Sequence, residues 1–412
     1  MTLAARMRLA SAGVSTALLG AGTATGDKLG SVTDGWILDF ENGKILVRDT
    51  VTEANAVYDD IENEVSGWGS GFYYENSAGN YAAASGFDEC YFGGTNGGYW
   101  FWDNIVNDCL YCRDWTQAGS WPASNMSTAL DATGIDGSAN TATTLTADAA
   151  NATILQTITH ASQDTTFSVW MRRVTGTGSI YITADGDGGG SETEKTITGS
   201  WALYYINVAA LTNPVVGVKI ATSGDVIEVD FSKSQLDSFT HPGPPVLTTS
   251  SSASITSVNL VMPTVTFDAA ELTIVNELYM QDATKGEKTF QEVQADGSNF
   301  IVHRLSSGGD RPLQWARKTT DNLHYGTNDS IVADQWETVG YSIKQDSSVL
   351  SLNGATNGTE DTTGVDMPDM SSYASHKIGR QVNNSNKATG FIRHIICLPT
   401  YNNQTALNTL TS

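Results

Sequence analysis

The sequence has few charged residues and, above all, few basic ones. Its 412 residues include 22 lysines and arginines against 45 aspartates and glutamates, so the formal net charge is −23 and the charged fraction is 16%. Binding to nucleic acid or to an anionic membrane surface needs a basic footprint, which this chain lacks. It also lacks a run of about 20 apolar residues, so we expect no transmembrane helix.

Signature motifs of common enzyme classes are absent too. The sequence contains no GxSxG nucleophile elbow, no HExxH zinc motif and no GxxxxGK[ST] phosphate loop. Its six histidines are scattered, and none is paired at metal-ligand spacing. Two carboxylates could still serve a glycosidase, but we expect the acidic clusters at 59–64 and 185–187 to be solvated faces or turns. The sequence therefore predicts no catalytic centre.

Cysteine is scarce, and candidate metal ligands are few. The four cysteines are too few for a disulfide scaffold of this length, and Cys109 and Cys112 form a lone CxxC without further ligands nearby. We expect ordinary part-buried thiols in a chain that folded in a reducing cytoplasm, with a zinc or redox role as the alternative. Asp185 and Asp187 alternate with glycines, so a structural calcium loop is the alternative to a plain turn. No other cofactor is expected.

Glycine is abundant, with 40 residues, and it separates short segments of alternating apolar residues. Residues 166–173 place Phe167, Val169 and Met171 on one face of a predicted strand. Asn42-Gly43 predicts a hairpin between two apolar runs, whereas the spacing in 52–65 allows a short amphipathic helix. Further strands are predicted at 179–185, 201–209, 215–221, 225–236, 271–280, 299–305, 336–345, 348–354, 376–380 and 391–399, and a helical signal comes only at 405–410.

Composition shifts divide the chain into five predicted segments. HPGPP at 241–245 and the Ser/Thr run after it indicate a linker over 241–254. The segments are an N-terminal arm (1–28), an attachment β region (29–114), a jelly-roll unit (115–240), the linker, and a second sandwich (255–412). Residues 1–26 resemble a signal peptide in part. We expect a docking arm, with an uncleaved secretory leader as the alternative.

Two stretches carry motifs of known families. Trp336, the Leu350–Gly354 run, Lys377–Gly379 and Gly390–Ile392 follow the order of a concanavalin A-like, laminin G-type sandwich, which 255–412 resembles. Residues 115–240 resemble the carbohydrate-binding-module-like jelly rolls of bacteriophage fibre and spike proteins. The residues that carry this resemblance are Trp115, Trp121, Gly137, Thr144–Thr146, Thr166–Trp170, Trp201, Gly224-Asp225 and Ser234–Asp237. The fold class implied is all-β, with tandem β-sandwiches behind an N-terminal attachment region.

The resemblance implies a virion structural protein, such as a head spike, capsid decoration or tail fibre, that adheres to host-surface polysaccharide. It would sit on the particle surface as a homo-oligomer, with a trimer favoured by analogy, and contact other virion proteins through Arg6, Arg8 and Trp36. Cement without host binding, a glycan depolymerase and a secreted bacterial lectin-like protein remain open. The candidate sugar-binding residues are Trp170, Trp201, Tyr204, Tyr205, Trp315 and Tyr325. Tyr204 and Tyr205 are adjacent, so on a strand one of them should face outward.

Overall fold

Antiparallel β-structure makes up most of the residues that the structure describes, as the sequence predicts. The computed structural model describes residues 35–39, 44–49, 54–58, 73–75, 81–83, 99–101, 105–187, 190–236, 242–255, 260–261, 270–281, 288–294, 299–305, 311–317, 321–325, 329–362, 365, 367–368, 375–378, 390–398 and 400–412. Within these ranges, no helix is long and apolar enough to cross a membrane.

The strands and the helix are labelled in chain order. The N-terminal strands are β1 (Gly35–Asp39), β2 (Lys44–Asp49), β3 (Ala54–Tyr58), β4 (Tyr73–Glu75), β5 (Tyr81–Ala83) and β6 (Tyr99–Phe101). The central strands are β7 (Ile105–Asn107), β8 (Ala123–Ser124), β9 (Met126–Ala132), β10 (Ala142–Ala147), β11 (Ala152–Thr157), β12 (Gln163–Thr175), β13 (Ile180–Thr183), β14 (Thr193–Lys195), β15 (Ala202–Leu211), β16 (Val215–Ile220), β17 (Val226–Leu236) and β18 (Ala253–Ile255). The C-terminal elements are β19 (Leu260–Val261), β20 (Glu271–Met280), β21 (Lys288–Gln294), β22 (Phe300–Leu305), β23 (Pro312–Arg317), β24 (Asp321–Tyr325), β25 (Trp336–Lys344), β26 (Ser347–Leu352), β27 (Ala355–Thr356), β28 (Ser375–Ile378), β29 (Gly390–Leu398) and the helix α1 (Gln404–Thr411).

The chain forms two units, and each draws on separate stretches of sequence. The first unit comprises Met1–Trp68, Gly86–Asp103 and Val258–Ser412, and the second comprises Gly69–Ser85 and Asn104–Ser257. Strands from the predicted attachment region are therefore shared out: β1 and β6 pair with β29 in the first unit, while β7 pairs with β18 in the second. The domain limits predicted from composition stay a prediction.

The second unit is a sandwich of two five-stranded sheets, as traced among the described strands. The front sheet has the order β15-β12-β17-β10-β9, and the back sheet has the order β14-β13-β16-β11-β8. Phe167, Val169 and Met171 are buried in the core cluster, as their alternation predicts. Trp115 and Trp121 stack in the same cluster with ring centroids 3.9 Å apart. The large apolar area buried here is the main driving force for this fold.

The first unit stacks a nine-stranded sheet, which includes β20, β25 and β29, on a six-stranded sheet that includes β22, among the strands described. The rings of His303 on β22 and Tyr341 on β25 stack 3.9 Å apart and join the two sheets. On the nine-stranded sheet, α1 packs Leu407 and Leu410 against Val275 and its neighbours. The helix lies where the sequence signal at 405–410 predicts it.

Local turn and strand predictions have mixed outcomes. Asn353 and Gly354 have φ of 49° and 77° between β26 and β27, as expected of a two-residue hairpin turn. Strands β1 and β2 pair from Asp39 and Lys44 outward, although Asn42-Gly43 itself lies outside the described residues. The helix expected within 52–65 is wrong for 54–58, because those residues form β3 on the edge of β2. Backbone hydrogen bonds to a neighbouring strand outweigh the marginal stability of a short helix.

Of the three residues expected to mediate attachment, only the backbone of Trp36 lies within the described part of the chain. Arg6 and Arg8, with the whole predicted arm, lie outside the described residues. Trp36 lies on β1, where its backbone pairs with Val47 and Cys397. Its place in the nine-stranded sheet of the first unit is described, but its side chain is not.

Candidate functional site

Strand β12 presents a tryptophan and an arginine on the outer face of the front sheet. Val169 and Met171 are fully buried in the core between the sheets. Side chains alternate along a strand, so Trp170 and Arg172 point away from that core. Trp170 is half-buried, and 30% of the Arg172 side chain is exposed. The outer face therefore carries both a flat ring and a cation within reach of solvent.

Strand β15 adds further aromatic side chains and separates the two adjacent tyrosines. Tyr204 packs against the core, and its hydroxyl donates to the carbonyl of Thr196 over 3.0 Å. Tyr205 pairs with Ser168 and so lies on the outer face. Trp201 comes one residue before β15, and the guanidinium carbon of Arg172 lies 4.8 Å from its ring centroid. Three of the four candidates in this unit therefore share the outer face, and Tyr204 does not.

The two tryptophan rings are partly exposed on that face. Both are half-buried, and neither indole N–H finds an acceptor within the described part of the chain. By contrast, the indole N–H groups of the buried Trp115 and Trp121 donate to Ser232 and to the Leu110 carbonyl. A half-exposed indole with an unused donor offers an apolar surface and a hydrogen bond at the same place.

A bulge in β17 builds the support under these rings. The β12–β17 register shifts between Ser168 and Trp170, and Phe231 has a φ of 38°. Phe231 joins an outer cluster with Cys112 and Ile135, against which both tryptophans pack. In the same cluster, Tyr81 meets the ring of Trp170 edge-on at 4.9 Å. The bulge thus turns a strand residue out of the sandwich core to hold the exposed rings in place.

One line of side chains crosses the front sheet from strand to strand. Arg172 pairs with Glu228, Glu228 with Thr144, and Thr144 with Ala129 in the register of the sheet. Together with Trp201 beside Arg172, these residues form what we call the cross-strand row: Trp201, Arg172, Glu228, Thr144 and Ala129. All five are half-buried or exposed.

One ion pair lies within the cross-strand row, and one hydrogen bond links the row to the neighbouring Asp131 on β9. Arg172 Nε donates to Glu228 Oε2 in an ion pair. The hydroxyl of Thr144 donates to the exposed carboxylate of Asp131 over 2.5 Å. Arg172 lies two residues after Trp170 on the same strand, so side-chain alternation alone would have placed it on the same face as Trp170. Glu228, Thr144 and Asp131 carry no such signal, because only the strand register brings them together.

The other predicted site residues lie elsewhere. Asp187 Oδ1 is 2.9 Å from Lys219 Nζ, which also pairs with Glu192, while Asp185 is exposed in the turn. Among the described residues no group of three His, Cys, Asp or Glu side chains could hold a metal ion. The backbones of Trp315 and Tyr325 pair with Leu323 and Leu313 in the first unit, and their side chains are not described.

The CxxC pair is enclosed by protein. Cys109 and Cys112 are fully buried. The backbone N–H of Thr248 donates to Cys112 Sγ over 3.2 Å. Burial raises the pKa of the Cys112 thiol to about 11 and also raises the pKa of Cys109. Burial therefore favours the protonated thiol at both positions, as in unreactive structural cysteines.

Comparison with known proteins finds partial similarities of fold. No protein-family model matches the sequence, and no curated protein matches it. Among solved structures, the Ruminococcus gnavus IT-sialidase CBM40 bound to α2,3-sialyllactose has a TM-score of 0.31 at 12% identity, over 35% of this chain and 84% of that one. Domain 4 of AbnA, a GH43 extracellular arabinanase from Geobacillus stearothermophilus solved with arabinotriose, gives 0.32 at 14% identity, over 39% and 77%. The heptameric SAP-like pentraxin from Limulus polyphemus gives 0.29 at 13% identity, over 35% and 70%.

Proposed function

We propose that the second unit binds carbohydrate on the outer face of its front sheet. The observation that carries this proposal is the pair of half-exposed rings, Trp170 and Trp201, on one face with unused indole donors. Aromatic rings pack against the C–H faces of sugar rings, while nearby polar groups reach the hydroxyls. Here Arg172 and Glu228 supply those polar groups beside the rings.

Each residue has a defined part in this site. Trp170 rests on Tyr81 and the outer cluster, so its ring is held in one orientation before a ligand arrives. Arg172 covers one side of the Trp201 ring, which leaves the other side or the ring edge for the sugar. Pre-orientation of the rings reduces the entropy lost on binding.

A glycan panel with two tryptophan variants tests the proposal. The full chain should bind at least one class of oligosaccharide in an array followed by calorimetric titration. Trp170→Ala and Trp201→Ala should each weaken that binding about tenfold or more. Tyr181→Ala is the matched control, since this half-exposed ring lies on the back sheet with Lys219 Nζ 5.5 Å from its centroid. Equal affinity of both tryptophan variants and the wild type, with unchanged thermal unfolding, would overturn the site.

The proposed site holds its ligand and does not cleave it. Glu228 is engaged by Arg172, and Asp131 accepts the hydroxyl of Thr144, so neither carboxylate stands alone over the rings. Incubation of the purified chain with each bound polysaccharide should release no new reducing ends. Release that disappears in Glu228→Gln would instead identify a glycan depolymerase.

At the level of the organism, we propose that the chain is a bacteriophage surface protein that adheres to host glycans. The support for this is the resemblance of its sequence motifs to phage fibre and spike modules. Many weak sugar contacts on one particle would combine by avidity, and a trimer would contribute three.

Labelling of purified particles tests this assignment. Antibodies against the second unit should decorate the particle exterior, and light scattering should give the mass of an oligomer. Protein found only between capsomers would indicate cement. Protein found only in culture medium, with residues 1–26 removed, would indicate a secreted lectin-like protein. Either result would reject adhesion from the virion surface.

A further inference from the structure

The cross-strand row offers hydrogen-bond donors and acceptors side by side. Arg172 Nε is taken by Glu228, but its two terminal nitrogens donate to no acceptor within the described residues. Of the Glu228 side chain 14% is exposed, and Asp131 lies exposed at the far end. A sugar hydroxyl is both donor and acceptor, so vicinal hydroxyls could accept from Arg172 and donate to Glu228 at once.

The charge of the row disfavours an acidic ligand. Arg172 is the row's one cation, and it is already paired with Glu228, while Asp131 adds a second carboxylate. A carboxylate-bearing sugar would therefore meet more negative than positive charge, and like charges brought together cost affinity. Glu228 engages Nε of Arg172, which blocks side-on pairing of Nε with a second carboxylate and leaves only the two terminal nitrogens.

The length of the row sets the size of the ligand. It runs across all five strands of the front sheet, from β15 to β9. Four strand spacings amount to about 19 Å, which exceeds the width of a single sugar ring. We propose that the front sheet selects an uncharged oligosaccharide that lies across the strands, with Arg172, Glu228, Thr144 and Asp131 reading its hydroxyls. This inference rests on the proposed carbohydrate site and adds its ligand class.

Binding of neutral and acidic oligosaccharides at increasing salt tests the ligand class. We expect the full chain to bind neutral oligosaccharides better than monosaccharides. The dissociation constant should change less than about twofold from low to high salt, because an uncharged ligand leaves no charge attraction to screen. Binding of uronate- or sialate-containing oligosaccharides alone, weakened by salt, would overturn the inference but keep the carbohydrate site. Binding of no glycan by the folded chain would overturn the site itself.

A pair of carboxylate variants tests the residues. Glu228→Gln should weaken neutral-ligand binding about five- to tenfold, because a charge-assisted acceptor is lost. Glu192→Gln is the matched control, since Glu192 is the partner of Lys219 in the back-sheet half of the unit and should leave affinity unchanged. Equal affinity of both variants and the wild type for the neutral ligand would reject the proposal.

Discussion

Arg113 and Asp230 are joined by two hydrogen bonds inside the second unit. Arg113 Nε donates to Oδ1 over 2.7 Å, and Nη2 donates to Oδ2 over 3.0 Å. The Asp230 side chain is fully buried, and the guanidinium carbon lies 4.3 Å from the ring centroid of Phe231. Burial raises the pKa of Asp230, and the charge of Arg113 opposes that rise. The pair therefore links the bulge of β17 to the loop that carries Arg113.

Arg113→Met should destabilise the chain by about 3–5 kcal/mol, because it leaves the Asp230 carboxylate buried without its cation, with only the backbone N–H groups of Ile135 and Phe231 as donors. Arg172→Met removes an ion pair of similar composition on the outer face, where solvent screens the charges, and should cost about 1 kcal/mol or less. Denaturant unfolding of both variants measures the difference. Equal losses of stability would show that the buried pair has no special role.

Lys233 should make stability rise with pH above neutrality. Its amino group is buried and donates to the carbonyls of Gly243 and Pro244 over 2.8 and 3.1 Å. Burial lowers its pKa from 10.5 to about 7. Between these values the unfolded chain holds a proton that the folded chain lacks. The free energy of unfolding should therefore increase by up to about 1.4 kcal/mol per pH unit in this window and level off below it.

Lys233→Met isolates this effect. Urea unfolding from pH 6.5 to 8.5 should show a steeper rise for the wild type than for the variant. Lys219→Met, which removes a lysine paired with Asp187 and Glu192, should keep the wild-type slope. Parallel curves for wild type and Lys233→Met would contradict a lowered pKa at Lys233.

The buried thiols should resist alkylation in the folded chain. Cys109, Cys112 and Cys397 are fully buried, and burial raises the pKa of each. Mass-spectrometric mapping after iodoacetamide at pH 8 should find these three cysteines unlabelled in buffer and fully labelled in denaturant. Rapid labelling of Cys109 or Cys112 under native conditions would mean that the CxxC is accessible, and would reopen a redox or metal-binding role.

Asn403 should control the opening of α1. Its side chain accepts from the Ala406 N–H over 3.0 Å at the N-terminus of the helix. Asn403→Ala should cost about 1 kcal/mol, which corresponds to about fivefold faster hydrogen exchange in 404–411 if exchange follows local opening. Asn403→Asp keeps an acceptor and should stay close to wild type. Equal exchange in all three chains would show that the cap does not limit the opening of this helix.

The pattern of residues adjacent in the sequence was sufficient to predict those strands and turns whose conformation depends mainly on sequence neighbours. Alternation predicted β12 and the burial of Phe167, Val169 and Met171, and apolar residues marked β20 over 271–280. Asn353 and Gly354 adopt positive φ in the turn after β26, a conformation that these residue types tolerate. The placement of Tyr204 and Tyr205 on opposite faces follows from the same two-residue period.

By itself, then, the sequence determined the all-β class, most strands and the face of β12 that is buried, because these depend on alternation and turn chemistry along a few residues. Only the tertiary structure decided that 54–58 is a strand, that the 29–114 strands are shared between two units, and that Phe231 leaves the core at a bulge. The tertiary structure was also needed to show that Arg172, Glu228 and Thr144 are cross-strand neighbours. The reason is physical: cross-strand neighbours are set by backbone register between segments far apart in the chain, and no local preference encodes that register.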